Sequence, residues 1–158
     1  MSWQRLRGRR IAKRHFHAQN LSRLAAQIEK SEAGHSGEVV VAIEAVSPVH
    51  ETDSQLRARE VFGRLGVWDT PLNTGVLLYI SLDRRHIELI ADRGVTATQE
   101  QWQSICRQLQ EAFSRQEYFS AVIEAVQAIE KVLLDHSPPA EAQPDANHLD
   151  NHPVILSS

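Results

Sequence analysis

Two apolar runs, TGVLLYISL (74–82) and HIELIAD (86–92), are separated only by Asp83, Arg84 and Arg85. A gap that short closes an antiparallel hairpin and cannot carry a parallel crossover, which needs about a dozen residues or more. A third run, EVVVAIEAV (38–46), lies upstream and stops at Ser47-Pro48. Its β-branched density and short length mark a buried strand. Between it and the hairpin, Ala58, Val61, Phe62 and Leu65 repeat at helical spacing. Thr52, Asp53 or Ser54 can cap that helix at its start, and Gly66 can end it. Strand, helix, strand is the pattern of a parallel pair with a right-handed crossover. One parallel pair and one hairpin in the same chain require a mixed sheet.

The flanking segments supply the layers around it. Leu21, Leu24, Ala25 and Ile28 form an amphipathic stripe, with Asn20 as its cap and SEAGHSG (31–37) as its end. Trp102, Ile105, Cys106, Leu109, Ala112 and Phe113 form another, opened by a Thr98–Gln101 capping box. After a break at Gln116-Glu117, a last helix buries Phe119, Val122, Ile123, Val126, Ile129 and Leu133. The expected order is α-β-α-β-β-α-α. Near-continuous apolar strands belong to a sheet covered on both faces. The expectation is an α/β protein, a three-layer α/β/α sandwich with a small mixed sheet. Residues 1–19 read as a basic N-terminal arm, 20–136 as the domain, and 137–158, rich in Pro and Ala without periodicity, as a disordered polar tail.

A chain of 158 residues with 42% apolar and 23% charged residues can bury a core of its own. The single Cys106 excludes an internal disulfide. No apolar run approaches the roughly 20 residues of a membrane span, and no h-region follows the basic start, so a soluble, cytoplasmic protein is expected. The net charge of −3 conceals an asymmetry: Arg5, Arg7, Arg9, Arg10, Lys13 and Arg14 fall in the first 20 residues with no acid among them. Such a block suits anionic lipid or nucleic acid, and Trp3, Leu6, Ile11 and Phe16 are interleaved with it. These apolar residues make no clean stripe, so a solvated arm with an aromatic or two packed on the domain is the preferred reading. Membrane-surface contact through residues 1–17 is the alternative, and nucleic acid is not expected.

Topology converges the polar residues. If the first two strands are parallel, their starts share an edge, and the hairpin returns Asp92 to the neighbourhood of Thr74 or Gly75. Three loops then meet there: 35–38, 68–73 and 92–94. They carry Ser36, Glu38, Asp69, Asn73, Asp92 and Arg93. Carboxylates with an amide and a hydroxyl are hard oxygen donors, suited to Ca²⁺ or Mg²⁺. Arg93 can orient a carboxylate or hold a phosphate. The plainer reading is that Asp69 caps a turn, Asn73 takes a left-handed conformation, and Asp92 pairs with Arg93 or a nearby amide. The histidines fall at no convincing ligand spacing, and Cys106 sits on an apolar helix face. No P-loop, dinucleotide fingerprint, G-x-S-x-G or H-E-x-x-H occurs.

The stretches SGEVVVAI, VFGRLGVWDTPLNTGVLLYISLDRRHIELIADRGV and QWQSICRQLQEAFSRQEYFSAVIEAVQAI together resemble the TPM domain family, from about Leu21 to Leu134. The family takes its name from a thylakoid lumen protein, a photosystem repair protein and a modulator of an acetylcholine receptor. The resemblance implies an α/β/α sandwich. It also implies divalent-cation binding at a polar cleft beside the sheet, as in some members, and the weak acid phosphatase activity assigned to plant members. The family motifs fall on Ser36, Gly37 and Glu38, on Asn73 and Gly75, and on Asp92, Arg93 and Gly94. The chain departs from the common pattern: it shows no signal peptide, a short polar tail stands where many members have a membrane helix, and the basic arm replaces an acidic loop. It looks like a compact bacterial subgroup.

The expected function is a non-enzymatic binding module in envelope or protein quality-control processes, with an unknown protein partner. Its expected cleft is Ser36, Gly37, Glu38, Asn73 and Arg93, with Glu38, Asp69 and Asp92 as metal ligands. The first alternative is a metal-assisted acid phosphatase using Asp69, Asp92 and Arg93. The second is lipid or nucleic-acid binding through the basic arm.

Overall fold

The computed structural model of the chain describes residues 2–32, 34–139 and 151–156. Its elements run α1 (Trp3–His15), α2 (Ala18–Ser31), β1 (Glu38–Glu44), α3 (Ser54–Arg64), β2 (Gly75–Ser81), β3 (His86–Ala91), α4 (Gln99–Ser114), α5 (Tyr118–His136) and β4 (Val154–Leu156). The sheet order is β3-β2-β1-β4. β1 pairs in parallel with β2, Glu38 opposite Gly75 and Glu44 opposite Ser81. β2 and β3 form the antiparallel hairpin, Val76 opposite Ala91 and Ser81 opposite His86. The mixed sheet and the α/β/α layering are as the sequence requires.

Every residue of β1 and β2 is buried, because helices cover both faces. Val39, Val41, Ile43, Val76, Leu78 and Ile80 face the larger core, built with α2, α4 and α5. Val40, Ala42, Leu77 and Tyr79 face a smaller one with Ala58 and Val61 of α3. By the same alternation Glu38 and Glu44 lie on the α3 side, one at each end of β1.

The caps follow local chemistry. The Asp53 carboxylate accepts from the amides of Gln55 and Leu56 at the start of α3. Thr98 and Gln101 form the reciprocal capping box of α4. Gln116 takes a positive φ where the chain turns from α4 into α5.

The structure differs from expectation at both ends. The segment read as a basic arm is a helix that buries Ile11, while Phe16, just beyond it, is 3% exposed. α2 begins at Ala18, with the His17 ring accepting from the Asn20 amide, so Asn20 is not its cap. α1 escaped the periodicity reading because it docks through a glycine rather than a broad apolar stripe. A Cβ on Gly8 would sit 2.0 Å from the Ala45 carbonyl oxygen. The other difference is β4. Within the segment read as a disordered tail, Val154–Leu156 pairs in parallel with β1, Ala42 opposite Val154. Residues 140–150 of that segment lie outside the described residues.

Two helical glycines make a controlled comparison. Gly8→Ala must displace backbone at Ala45 and is expected to cost about 1–3 kcal/mol. Gly63→Ala meets nothing within 4 Å and is expected to stabilise by up to about 1 kcal/mol through helix propensity. Urea unfolding of both variants checks the pair. Equal midpoints would show that α1 is not docked through Gly8.

Candidate functional site

The three predicted loops do meet at the amino edge, and backbone joins them. The Glu38 amide donates to the Thr74 carbonyl at 3.1 Å, the Asp92 amide to the Gly75 carbonyl at 2.9 Å, and the Gly94 amide to the Asn73 carbonyl at 2.7 Å. The Thr74 hydroxyl donates to the Ser36 carbonyl at 2.8 Å. Gly94 is needed for contact rather than for its torsions: a Cβ there would lie 2.1 Å from the Leu72 carbonyl oxygen.

The side chains do not converge in the same way. Asp92 Oδ1 accepts from the Arg93 amide at 2.8 Å, which closes its own turn. Asn73 has φ of 57°. Ser36 donates its hydroxyl to the Pro138 carbonyl at 2.7 Å, and a Cβ on Gly37 would collide with Leu133. Glu38 is 1% exposed, whereas Asp69 and Arg93 are exposed. As placed, Glu38, Asp69 and Asp92 are not one donor set, and among the described residues no group of three or more His, Cys, Asp or Glu could hold a metal ion. Asp92 and Arg93 instead line a polar cleft of about 340 Å³ outside β3, with Gln55, Arg59, Glu88 and Gln99.

Buried beside this edge is an acidic cluster that periodicity alone does not reveal. His35 Nε2 meets the Glu130 carboxylate, and His35 Nδ1 accepts from the Gly37 amide at 3.0 Å, so the ring proton lies on the Glu130 side. Burial pushes the Glu130 carboxyl up from its ordinary range against the opposing effect of His35. Glu32 is pushed up to about 8, mainly by burial, and further by Glu38, Glu130 and Glu29; its bond from the Val39 amide opposes the shift.

The opposite edge, where β1 and β2 end, holds the sheet's most completely partnered charges. Glu44 is fully buried and Arg57 is 3% exposed. Arg57 Nε donates to Glu44 Oε1 at 3.1 Å and Nη2 to Oε2 at 2.8 Å. The Tyr79 hydroxyl donates to Oε1 at 2.5 Å, and Arg57 Nη1 meets Glu60. Hydrogen bonding to Glu44 raises the Arg57 pKa above its ordinary value, and burial raises that of Tyr79. Both groups therefore keep their protons. Beside them Asp83 accepts from the Ser47 amide at 3.1 Å, the Ser47 hydroxyl at 3.0 Å and the Ser81 hydroxyl at 3.1 Å. Arg7 Nη2 of α1 donates to the Asp83 carbonyl at 3.1 Å. With these bonds made, Glu44 is poorly placed to act as a base, and Ser47 and Ser81 serve as clamps.

α1 crosses this edge and leaves a cleft on each side. One, of about 340 Å³, is lined by Ile87, Phe113 and Tyr118 with Arg7 and Arg85. The other, of about 480 Å³, is lined by Arg5, Arg9, Arg57 and Arg64 with Val46, Pro48, Val49 and His50. Arg57 is its neutralised floor. Arg5 and Arg64 make no ion pair among the described residues. The sequence did hold a signal for this site. Glu44 ends β1 in phase with Val40 and Ala42, and Arg57 stands four residues before Val61 on the buried stripe of α3. Open α/β sheets bind ligands outside the carboxyl ends of their strands.

The family model of the TPM domain matches residues 13–132. This chain belongs to the TPM domain family. The TPM domain covers α2 through most of α5, so the first ten residues of α1, with Arg5 and Arg9, precede the matched region. Among solved structures, the NMR structure of BA42 protein from the psychrophilic bacterium Bizionia argentinensis superposes with a TM-score of 0.76. It shares 22% identity over 89% of this chain and 94% of that one, and so shares the fold. No curated protein matches the chain. Among the described residues no helix is long and apolar enough to cross a membrane.

Two expectations follow. Removing Arg57 leaves the Glu44 carboxylate buried without its guanidinium, so Arg57→Ala should lose about 3–5 kcal/mol in urea unfolding; a loss below about 1 kcal/mol would contradict the buried pair. Glu32 holds its proton more tightly folded than unfolded, so its stability contribution is complete below its ordinary value of 4.5 and is lost as pH rises through about 8. The melting temperature should therefore fall between about pH 5 and pH 8. In Glu32→Gln it should fall less steeply, while the Val39 amide keeps an acceptor. A variant as steep as the parent would rule out Glu32 as the source.

Proposed function

We propose that this TPM domain is a non-enzymatic binding module, and that its ligand is an anionic, phosphate-bearing group held in the arginine-lined cleft at the carboxyl edge of the sheet. The observation that carries this is the placement of Arg5, Arg9 and Arg64 around a cleft of about 480 Å³ whose floor, Arg57, is already satisfied by Glu44 and Glu60. A planar guanidinium offers paired donors that match phosphate oxygens. Arg5 comes from α1 and Arg64 from the last turn of α3, so an anion between them bridges two elements. The Ser47–Asp83 clamp and the Glu44–Arg57 pair hold the floor rigid beneath it.

The cation-binding reading takes Glu38, Asp69 and Asp92 as ligands, and the phosphatase reading uses Asp69, Asp92 and Arg93. Glu38 would have to leave the interior to join a cation site, and Asp92 already accepts from the Arg93 amide, which favours the cleft instead.

Calorimetry with inorganic pyrophosphate tests the proposal. The full chain should bind it saturably. Arg5→Ala/Arg64→Ala should lose about tenfold or more, since each charge-assisted hydrogen bond contributes roughly 1.5–3 kcal/mol. Asp92→Asn should bind as the parent does. Undiminished affinity in the arginine variant would overturn the reading. So would calcium-dependent heat that disappears in Asp92→Asn, which would restore the cation site at the amino edge.

A further inference from the structure

The outward face of α1 is exposed. Its inner side is fixed by Gly8 against Ala45 and by Ile11 in the core, so its outward side presents one definite surface. Trp3, Leu6, Arg10 and Lys13 follow one another at helical spacing along that surface, and Arg9 and Arg14 flank them. Trp3 is 83% exposed and Leu6 40%. Val49, 78% exposed, lines the arginine cleft immediately beside α1. The helix carries six cations and no acid, while the remainder of the chain is acidic.

We infer that α1 docks the protein on an anionic phospholipid surface, Trp3, Leu6 and Val49 entering the headgroup boundary while the arginine cleft receives a lipid phosphate. The clause about the cleft rests on the function proposed above; the docking of α1 does not. Charge complementarity argues for the lipid. A chain whose acidic bulk is repelled by an anionic surface approaches it by the basic face of α1, which orients the helix before contact. Tryptophan favours the membrane interface, where its ring is half in apolar surroundings and its N–H stays wet. Leu6 and Val49 gain from an acyl boundary and would gain nothing from a nucleic-acid backbone. The arrangement shares with an interfacial helix the placing of aromatic and aliphatic side chains among cations. Each Lys or Arg near such a surface strengthens binding roughly fivefold, and salt weakens it.

The test is co-sedimentation of the full chain with vesicles of phosphatidylcholine alone and of phosphatidylcholine mixed with phosphatidylglycerol. Wild type should bind the mixed vesicles, lose them as salt rises, and ignore the neutral ones. Trp3→Ala/Leu6→Ala replaces exposed side chains only. It should lose about tenfold or more on mixed vesicles while binding inorganic pyrophosphate in calorimetry as the parent does. No binding of wild type to mixed vesicles, unchanged binding in that variant, or equal binding to neutral vesicles would each overturn the inference. Tighter binding to a single-stranded RNA oligonucleotide than to mixed vesicles would also overturn it, by giving the basic face to nucleic acid. Vesicle binding that depends on Trp3 and Leu6 without any pyrophosphate binding would sustain the docking and remove the cleft reading alone.

Discussion

A carboxylate at the very end of a buried strand has no water to solvate it, and this is the constraint on which the carboxyl edge depends. Glu44 is fully buried, and an unpaired charge there would be intolerable. Arg57 meets it with two donors and Tyr79 with a third. In satisfying Glu44, Arg57 ties α3 to β1, and Tyr79 ties β2 to the same point. The smaller core between α3 and the sheet closes around this pair. Asp83 repeats the logic one strand over, gathering Ser47 and Ser81 and offering its carbonyl to Arg7 of α1. The result is a polar floor with its hydrogen bonds made, on which cationic side chains can stand exposed.

The two ends of the sheet therefore differ in electrostatic character. At the amino edge Glu130 meets His35, Glu32 feels the charges of Glu38 and Glu130, and burial raises the carboxyls of Glu32 and Glu130. At the carboxyl edge acids are matched by Arg57 or by hydroxyls and amides, and Arg5 and Arg64, which make no ion pair among the described residues, line the cleft together with Arg9. Backbone hydrogen bonds join the loops at the first end, and an arginine-lined cleft borders the second.

The strands and the hairpin were legible because short continuous apolar runs and a three-residue gap leave little choice. The convergence of the 35–38, 68–73 and 92–94 loops followed from that topology. What each side chain does there did not follow, because Glu38 turning inward and Asp92 closing its own turn depend on packing that spacing does not encode. α1 was illegible because its docking rests on the missing side chain of Gly8, which no count of apolar residues registers. β4 was illegible because three residues are too few to show a period, and they pair only because β1 has an unused edge. The arginine cleft joins Arg5 to Arg64 across nearly sixty residues, so it appears only once α1 is placed.

The central claim is that ligand binding belongs to the carboxyl edge. Nitrogen-15 spectra of the arginine side chains, recorded on the full chain during titration with inorganic pyrophosphate, read this residue by residue. The account predicts saturable changes concentrated at Arg5, Arg9 and Arg64, with little at Arg59 and Arg93 beside β3. Changes concentrated at Arg59 and Arg93, or none at any arginine, would contradict it.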